Sequence, residues 1–396
     1  MKKNKTSILI VSLLFMLVLT SYYLIPIFAK EDQVTFSLEL AEGDKDIFNQ
    51  LTFAGLVQTD SYSSQTIEIN ANDGINLHNN FFSLSQRNLD KKMNLLIDRY
   101  PSFVRGKELY SENYYESNDY LVYVSNFYPD YNDSSDTLQT ATITISHYNK
   151  TSKETIDKEI SISSESPINY VTIEDLLFLG DQVTMIFEVD TIQTNSRKVY
   201  VYDLVEQTLG SEFDKQVNSQ ARNYSEFQNF LIDEQKGNIL SVESWTNESE
   251  SLETVFNRAY TVLNVLNAQQ KKLKLNEFFY QETTKIHSQN NRLYGFNYQN
   301  GTIYYEVITI TNPDQIEKGV LSVGELFTEE EWNYISLIPH QDGLLFVEKE
   351  LNSYANKQNF LMIALDAFTV DLKGQLQMET DQEETIAYFN DIYFEK

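Results

Sequence analysis

The sequence contains no cysteine. Disulfides, thiolate metal sites and lipid attachment through an N-terminal cysteine are therefore all excluded. Proline and glycine are also sparse, with 6 and 13 in 396 residues, and no Ser/Gly/Pro-rich tract parts the chain into two domains. Basic residues are few, 30 Lys and Arg against 58 Asp and Glu, for a net charge of −28. Such a surface repels nucleic acid and anionic lipid, which excludes nucleic acid as a partner. Only four histidines occur, His78, His147, His287 and His340, with no HExxH or H-x-H pattern. Each is expected to be solvated or satisfied in a core. Nor is there a GxSxG elbow, an SxxK, a Gly-rich phosphate loop or a GxGxxG. Serine hydrolysis and nucleotide use have no support, and no catalytic residue, cofactor site or cofactor can be assigned.

What is present first is a long apolar run. Lys2, Lys3 and Lys5 precede Ile8 to Phe28, an uncharged stretch. As a helix its 21 residues rise about 31 Å, enough to cross a hydrocarbon core of about 30 Å. The basic residues before it, against Lys30, Glu31 and Asp32 after it, orient the N-terminus to the cytoplasm. A cleaved signal peptide is the competing reading, since Pro26 and Ala29 resemble a signal's end although Ile27-Phe28-Ala29 is a poor site. The expected organisation is a stub and transmembrane anchor over residues 1–30 and one extracytoplasmic domain over 31–396. Setting aside Lys2, Lys3, Lys5 and Lys30 leaves that domain 26 basic against 58 acidic residues, a net −32. Solubility accounts for the excess; the functional alternative is a cationic peptide or metal ion as ligand.

The second feature is repetition. From Leu176 to Gly210, VTMIFEV and VYVYDL read as strands, separated by polar TIQTNSR and followed by turn-like EQTLG. A comparable strand begins after a polar turn near Asp119, Asp181, Gly237, Asn291 and Asp342, at spacings of 62, 56, 54 and 51 residues. Each is followed by another strand and an abrupt polar turn. Periods of this size mark units that cannot bury their faces alone, and four-stranded units of about 40 to 50 residues make a β-propeller. The fold class expected is all-β, a propeller of six or seven four-stranded blades. No WD dipeptide or other blade motif is present.

The ends and insertions complete this expectation. Val34 to Leu40, Leu51 to Val57 and Gln65 to Asn70 read as strands, and Glu383 to Lys396 as one or two more. Since exposed edges invite aggregation, the C-terminal strands are expected to pair with those from the first 40 or so residues after the anchor. Leu89, Met93, Leu96 and Ile97 recur at helical spacing before Pro101, predicting a short amphipathic helix. A second helical stretch is expected near Ser219. The acidic runs Phe327 to Trp332 and Thr380 to Thr385 read as solvated turns. Asp130, Asn132, Asp133 and Asp136 resemble a calcium loop in spacing, but Ser135 and Ala141 occupy the glycine and glutamate positions, so a polar hairpin loop accounts for them. Whether any metal binds stays open.

In composition and in its N-terminal segment, the cysteine-free chain rich in Asn, Tyr and Ile resembles membrane-anchored extracytoplasmic β-propeller-like proteins of low-GC Gram-positive bacteria. The resemblance implies a single-pass protein of the cell membrane with its C-terminal domain outside. The function expected is binding, as an accessory to a membrane complex or transporter, or as a sensor of a cationic peptide or glycan. Two alternatives stay open: a carbohydrate-active hydrolase or lyase with a carboxylate pair, and a structural assembly protein of the envelope.

Overall fold

A computed structural model of the chain describes residues 34–58, 64–72, 74–78, 91–129, 138–215, 225–248, 254–341, 343–352, 356–380 and 385–394. The anchor expected at 1–30 and the calcium-like loop at 130–137 lie outside them. Among the described residues no helix is long and apolar enough to cross a membrane.

The described residues start with β1 (Thr35–Gly43), α1 (Lys45–Gln50), β2 (Leu51–Gln58), β3 (Ser64–Asn70) and β4 (Gly74–His78). Then come α2 (Lys91–Arg99), α3 (Pro101–Val104), β5 (Tyr114–Glu116), β6 (Tyr120–Val124), β7 (Thr140–Asn149) and β8 (Thr155–Ser163). A second meander comprises β9 (Ile168–Leu179), β10 (Gln182–Thr191), β11 (Asn195–Asp203) and β12 (Thr208–Lys215). A third comprises β13 (Ser225–Asp233), β14 (Asn238–Glu248), β15 (Thr254–Asn264) and β16 (Gln269–Leu273). A fourth comprises β17 (Lys285–Gln289), β18 (Arg292–Gln299), β19 (Thr302–Thr309) and β20 (Asn312–Ser322). The chain ends with α4 (Glu329–Tyr334), β21 (Ile335–His340), β22 (Gly343–Glu348), β23 (Glu350–Asn352), β24 (Lys357–Ala364), β25 (Thr369–Glu379) and β26 (Ile386–Phe394).

The protein is all-β, and its strands form antiparallel four- and five-stranded sheets. They fall into two compact units, one drawing on residues up to 78 and from 338 onward, the other on 91 to 337. In the second unit the sheets are the meanders β5–β8, β9–β12, β13–β16 and β17–β20. Each packs on the next in sequence. Val122 and Ile143 meet Val183 and Phe187, Val199 and Val201 meet Ile239 and Leu263, and Leu240 and Val242 meet Leu293 and Ile308. β10 is buried along nearly its whole length, as a strand covered on both faces must be, whereas outer β8 alternates exposed and buried residues.

A turn recurs between the third and fourth strands. Asn149, Asp203 and Asn264 each end a strand and accept backbone N–H groups two or three residues on. Four residues after each, Lys153, Gln207 and Ala268 take positive φ near 60°. Phe368 does the same four residues after Ala364, closed by its N–H to the Ala364 carbonyl. The Asx side chain substitutes for a backbone turn contact, and this gives the abrupt polar turns of the sequence their chemistry.

In the first unit the first and last described strands meet. β1 pairs with β25 from Thr35↔Glu379 to Gly43↔Leu372, and β2 with β26 from Leu51↔Phe394 to Gln58↔Ile386. The sheets run β1-β25-β24-β22-β21 and β23-β26-β2-β3-β4. Phe53 of β2 lies 5.7 Å from Phe360 of β24 and 5.5 Å from Phe389 of β26, at the centre of the core between them. The expected pairing of terminal strands is thus observed.

Two readings require correction. The helical stretch near Ser219 is a strand where it is described, β13 from Ser225, because its Phe230 and Leu231 pair with Leu240 and Ile239 in the antiparallel ladder with β14. The acidic run Phe327 to Trp332 is largely helix α4, not a solvated turn. Thr328 Oγ accepts from the Glu331 N–H at 3.0 Å and the Glu331 carboxylate accepts from the Thr328 N–H at 2.6 Å, a capping box that starts the helix and buries Trp332. The helix expected before Pro101 is present as α2, and Met93 and Leu96 are buried in the core.

Candidate functional site

A cavity of about 590 Å³ opens where β18, β19 and β20 meet α4 and the turn before β17. Its size is that of a small-ligand site. Three glycine and capping details build it. Gly295 has no side chain, and a Cβ there would stand 2.9 Å from Phe279 and 3.0 Å from Phe278, so its absence lets the 3₁₀ turn Glu277–Tyr280 pack onto β18. Gly319 lets the Tyr305 ring lie across β20, since a Cβ would fall 2.2 Å from the tyrosine hydroxyl. The capping box positions Trp332, whose ring stacks on Tyr298 at 5.6 Å and whose Nε1 donates to the Thr283 carbonyl at 2.8 Å.

The walls combine rings with polar groups. Tyr304 is exposed to 42% and presents its ring and hydroxyl, and Gln299 and Glu329 are exposed beside it. Other polar groups are committed internally. Asn297 Nδ2 donates to Gln281 Oε1 at 2.9 Å and Thr283 Oγ at 3.0 Å. Glu306 accepts from Lys318 and, through its other oxygen, from Asn276. That ion pair joins directly opposed residues of β19 and β20. The arrangement can hold a planar or apolar group against a ring while its polar edge meets amide, hydroxyl and carboxylate.

A second constellation is buried where β9–β12 packs on β13–β16. Arg197 Nε donates to Glu174 Oε2 at 2.9 Å and Nη2 to Glu188 Oε1 at 3.2 Å. Lys215 Nζ, only 2% exposed, lies 3.7 Å from Glu174 and has no hydrogen-bond partner among the described residues. Both cations sit over Phe227, at 4.2 and 4.0 Å from its centroid. Burial pushes the Lys215 ammonium down to about 8, against the pull of Glu174. Burial also pushes the neighbouring Asp175 carboxyl up to about 6 and raises the Tyr115 phenol. Here carboxylates converge on an arginine, the sign expected of an acid–base site, but Arg197 binds Glu174 and Glu188 together and so commits both.

The histidines are packing groups where they are described. His147 is buried between Tyr120 and Tyr202, His287 meets Phe230 edge-on at 6.1 Å, and His340 stacks on Phe394 at 3.8 Å. Burial lowers the pKa of all three. Among the described residues no group of three or more His, Asp or Glu is placed to hold a metal ion. Neither the cavity nor the Arg197 cluster was singled out in the sequence. The signal available for the first was the capping pattern Thr328-x-x-Glu331 ahead of Trp332.

No protein-family model and no curated protein matches the chain. Among solved structures it is similar to TolB from Acinetobacter baumannii, at 9% identity over 86% of this chain and 67% of that one, with a TM-score of 0.34. It is also similar to the β-propeller domain of the Trilobed protease from Pyrococcus furiosus, at 8% identity, 90% and 99% coverage and a TM-score of 0.33. For the apocarotenoid oxygenase of Synechocystis the values are 8%, 70%, 61% and 0.39.

Proposed function

We propose that the chain is a binding or accessory protein of the cell membrane, held by its N-terminal apolar segment with residues 31–396 outside. Its sheets serve as blades of a β-propeller, and its ligand site is the cavity beside α4. The observation that carries the reading is the concave site in which Tyr304, Gln299 and Glu329 stay exposed while the groups around them are tied internally. A glycan or peptide suits such walls, and a membrane protein complex that presents either is the expected partner. A hydrolase would need two unengaged carboxyls at a defined separation, and the shared hold of Arg197 on Glu174 and Glu188 favours a structural role for that pair.

The test is recovery of partners after mild cross-linking of the full-length chain in its own membrane, comparing it with a Tyr304→Ala, Gln299→Ala double variant. The expected result is a discrete species captured by the native chain and lost from the variant. Capture of the same species by both would remove the cavity from the reading. Capture of nothing specific by either would end the accessory role.

A further inference from the structure

The outer strand β20 has an internal counterpart in the same protein. In the first unit, β25 is an 11-residue strand at the outer side of β21–β22–β24–β25, and β1 adds to it as a fifth strand. β20 holds the corresponding place in β17–β18–β19–β20 and is also 11 residues long. Among the described residues it pairs with β19 alone. The backbone groups on its other side are a template for one more strand. β8, β12 and β16 are outer strands too, but they have 9, 8 and 5 residues, and β20 is the one whose residues line the cavity.

Charge and shape define what would fit. Pro313 has no N–H to offer, so pairing runs from Asp314 onward. Ile316, Lys318 and Val320 alternate along one face of β20, with Val320 exposed to 64% and Ile316 to 36%, an apolar shoulder for small side chains. Nearby exposed charges are acidic: Asp314 and Glu317 on the strand, Glu325 before α4, and Glu329 and Glu330 in its first turn. The cation among them, Lys318, is neutralised by Glu306, and Glu317 has its own partner in Arg292. Glu329 and the Tyr304 ring are left to face the cavity, a carboxylate and a π-face that together suit an ammonium or guanidinium. A second copy of this chain, with its net charge of −28, is a poor occupant of the edge.

We infer that β20 takes up an extended cationic peptide as a fifth strand, and that one lysine or arginine side chain of it enters the cavity between Tyr304 and Glu329. This rests on the cavity being the ligand site. Main-chain pairing supplies the affinity and the cavity supplies the choice of residue.

The test uses the full-length chain carrying Trp245→Phe, which leaves Trp332 as its one tryptophan and so as a reporter within the cavity wall. Three capped heptapeptides of alternating threonine and valine are titrated: one with central arginine, one with central glutamate, and the arginine peptide N-methylated at alternate backbone nitrogens. A neutral chitin hexasaccharide is the fourth probe. The expected result is saturable change in Trp332 emission with the arginine peptide, at least tenfold weaker binding of the glutamate peptide, and at least tenfold weaker binding of the methylated one. Equal binding of the arginine and glutamate peptides, or of the methylated and unmethylated ones, would overturn the inference. A response to the hexasaccharide alone would overturn it while leaving the cavity as a ligand site. Silence to all four probes would count against both. Concentration-dependent self-association that blocks the response would assign the edge to a second copy instead.

Discussion

The guanidinium of Arg197 on β11 lies 4.2 Å from the ring centroid of Phe227 on β13, so a buried cation of one sheet rests on an aromatic face of the next. Lys215 shares that ring at 4.0 Å. Two cations out of water are tolerable because Glu174 and Glu188 pair with them and the ring offers a π-face. Phe227→Leu is expected to keep an apolar side chain, though a smaller one, and lose the π-face for both cations, at a cost of about 1–3 kcal/mol. Urea unfolding of the native and variant chains checks this, and an unchanged midpoint would mean the contact contributes nothing.

Asp175 gives a pH dependence of stability. Its carboxyl holds a proton up to about 6 when folded, against 3.8 ordinarily, because burial opposes the charged form. The folded state therefore binds more protons within that window. Stability from this group is fully present below pH 3.8 and is lost as pH rises through 6, leaving a penalty of about 3 kcal/mol at neutrality. Asp175→Asn is expected to stabilise the chain at pH 7 by up to about that amount and to flatten the stability profile between pH 4 and 6. Melting temperatures across that range decide it.

At Gly55 strands β2 and β26 approach too closely for any side chain. A Cβ there would stand 1.8 Å from the Tyr388 carbonyl oxygen, a backbone atom that cannot turn aside, at the register shift between Ala54 and Leu56. Gly55→Ala is expected to cost about 2–3 kcal/mol. Faster amide exchange in β2 and β26 than in β10 would locate the damage at the seam.

Thr328 starts α4 and so positions Trp332. Thr328→Ala is expected to cost about 1 kcal/mol, and because it removes only a cap, to shift Trp332 emission without unfolding the chain. Thr328→Ser should restore both readouts.

The sheets were legible in the sequence and the site was not, for a shared physical reason. A strand declares itself locally, since β6, β10, β14, β18 and β22 are apolar runs bounded by polar turns, and their positions follow from the chain alone. Packing between sheets is a matter of partners distant in sequence. Nothing near Arg197 announces Phe227, and nothing near Tyr304 announces Glu329. Helix α4 was missed because its six residues are too short for periodicity, so three consecutive glutamates looked like solvated surface. In β13 Phe227, Phe230 and Leu231 fall at helical spacing, and a register shift after Leu231 breaks the alternation that would mark a strand.

The seam between β2 and β26 also sets a timetable. Ribosomes add roughly 5–20 residues per second, and more than 300 residues separate the two strands, so β2 waits on the order of tens of seconds before its neighbour exists. The β5–β20 meanders each have all four of their strands at hand well before that. Completion of the first unit therefore comes after that of the β5–β20 meanders, and a chain stalled or cut before residue 386 would retain an open edge on β2 rather than a shortened but finished fold.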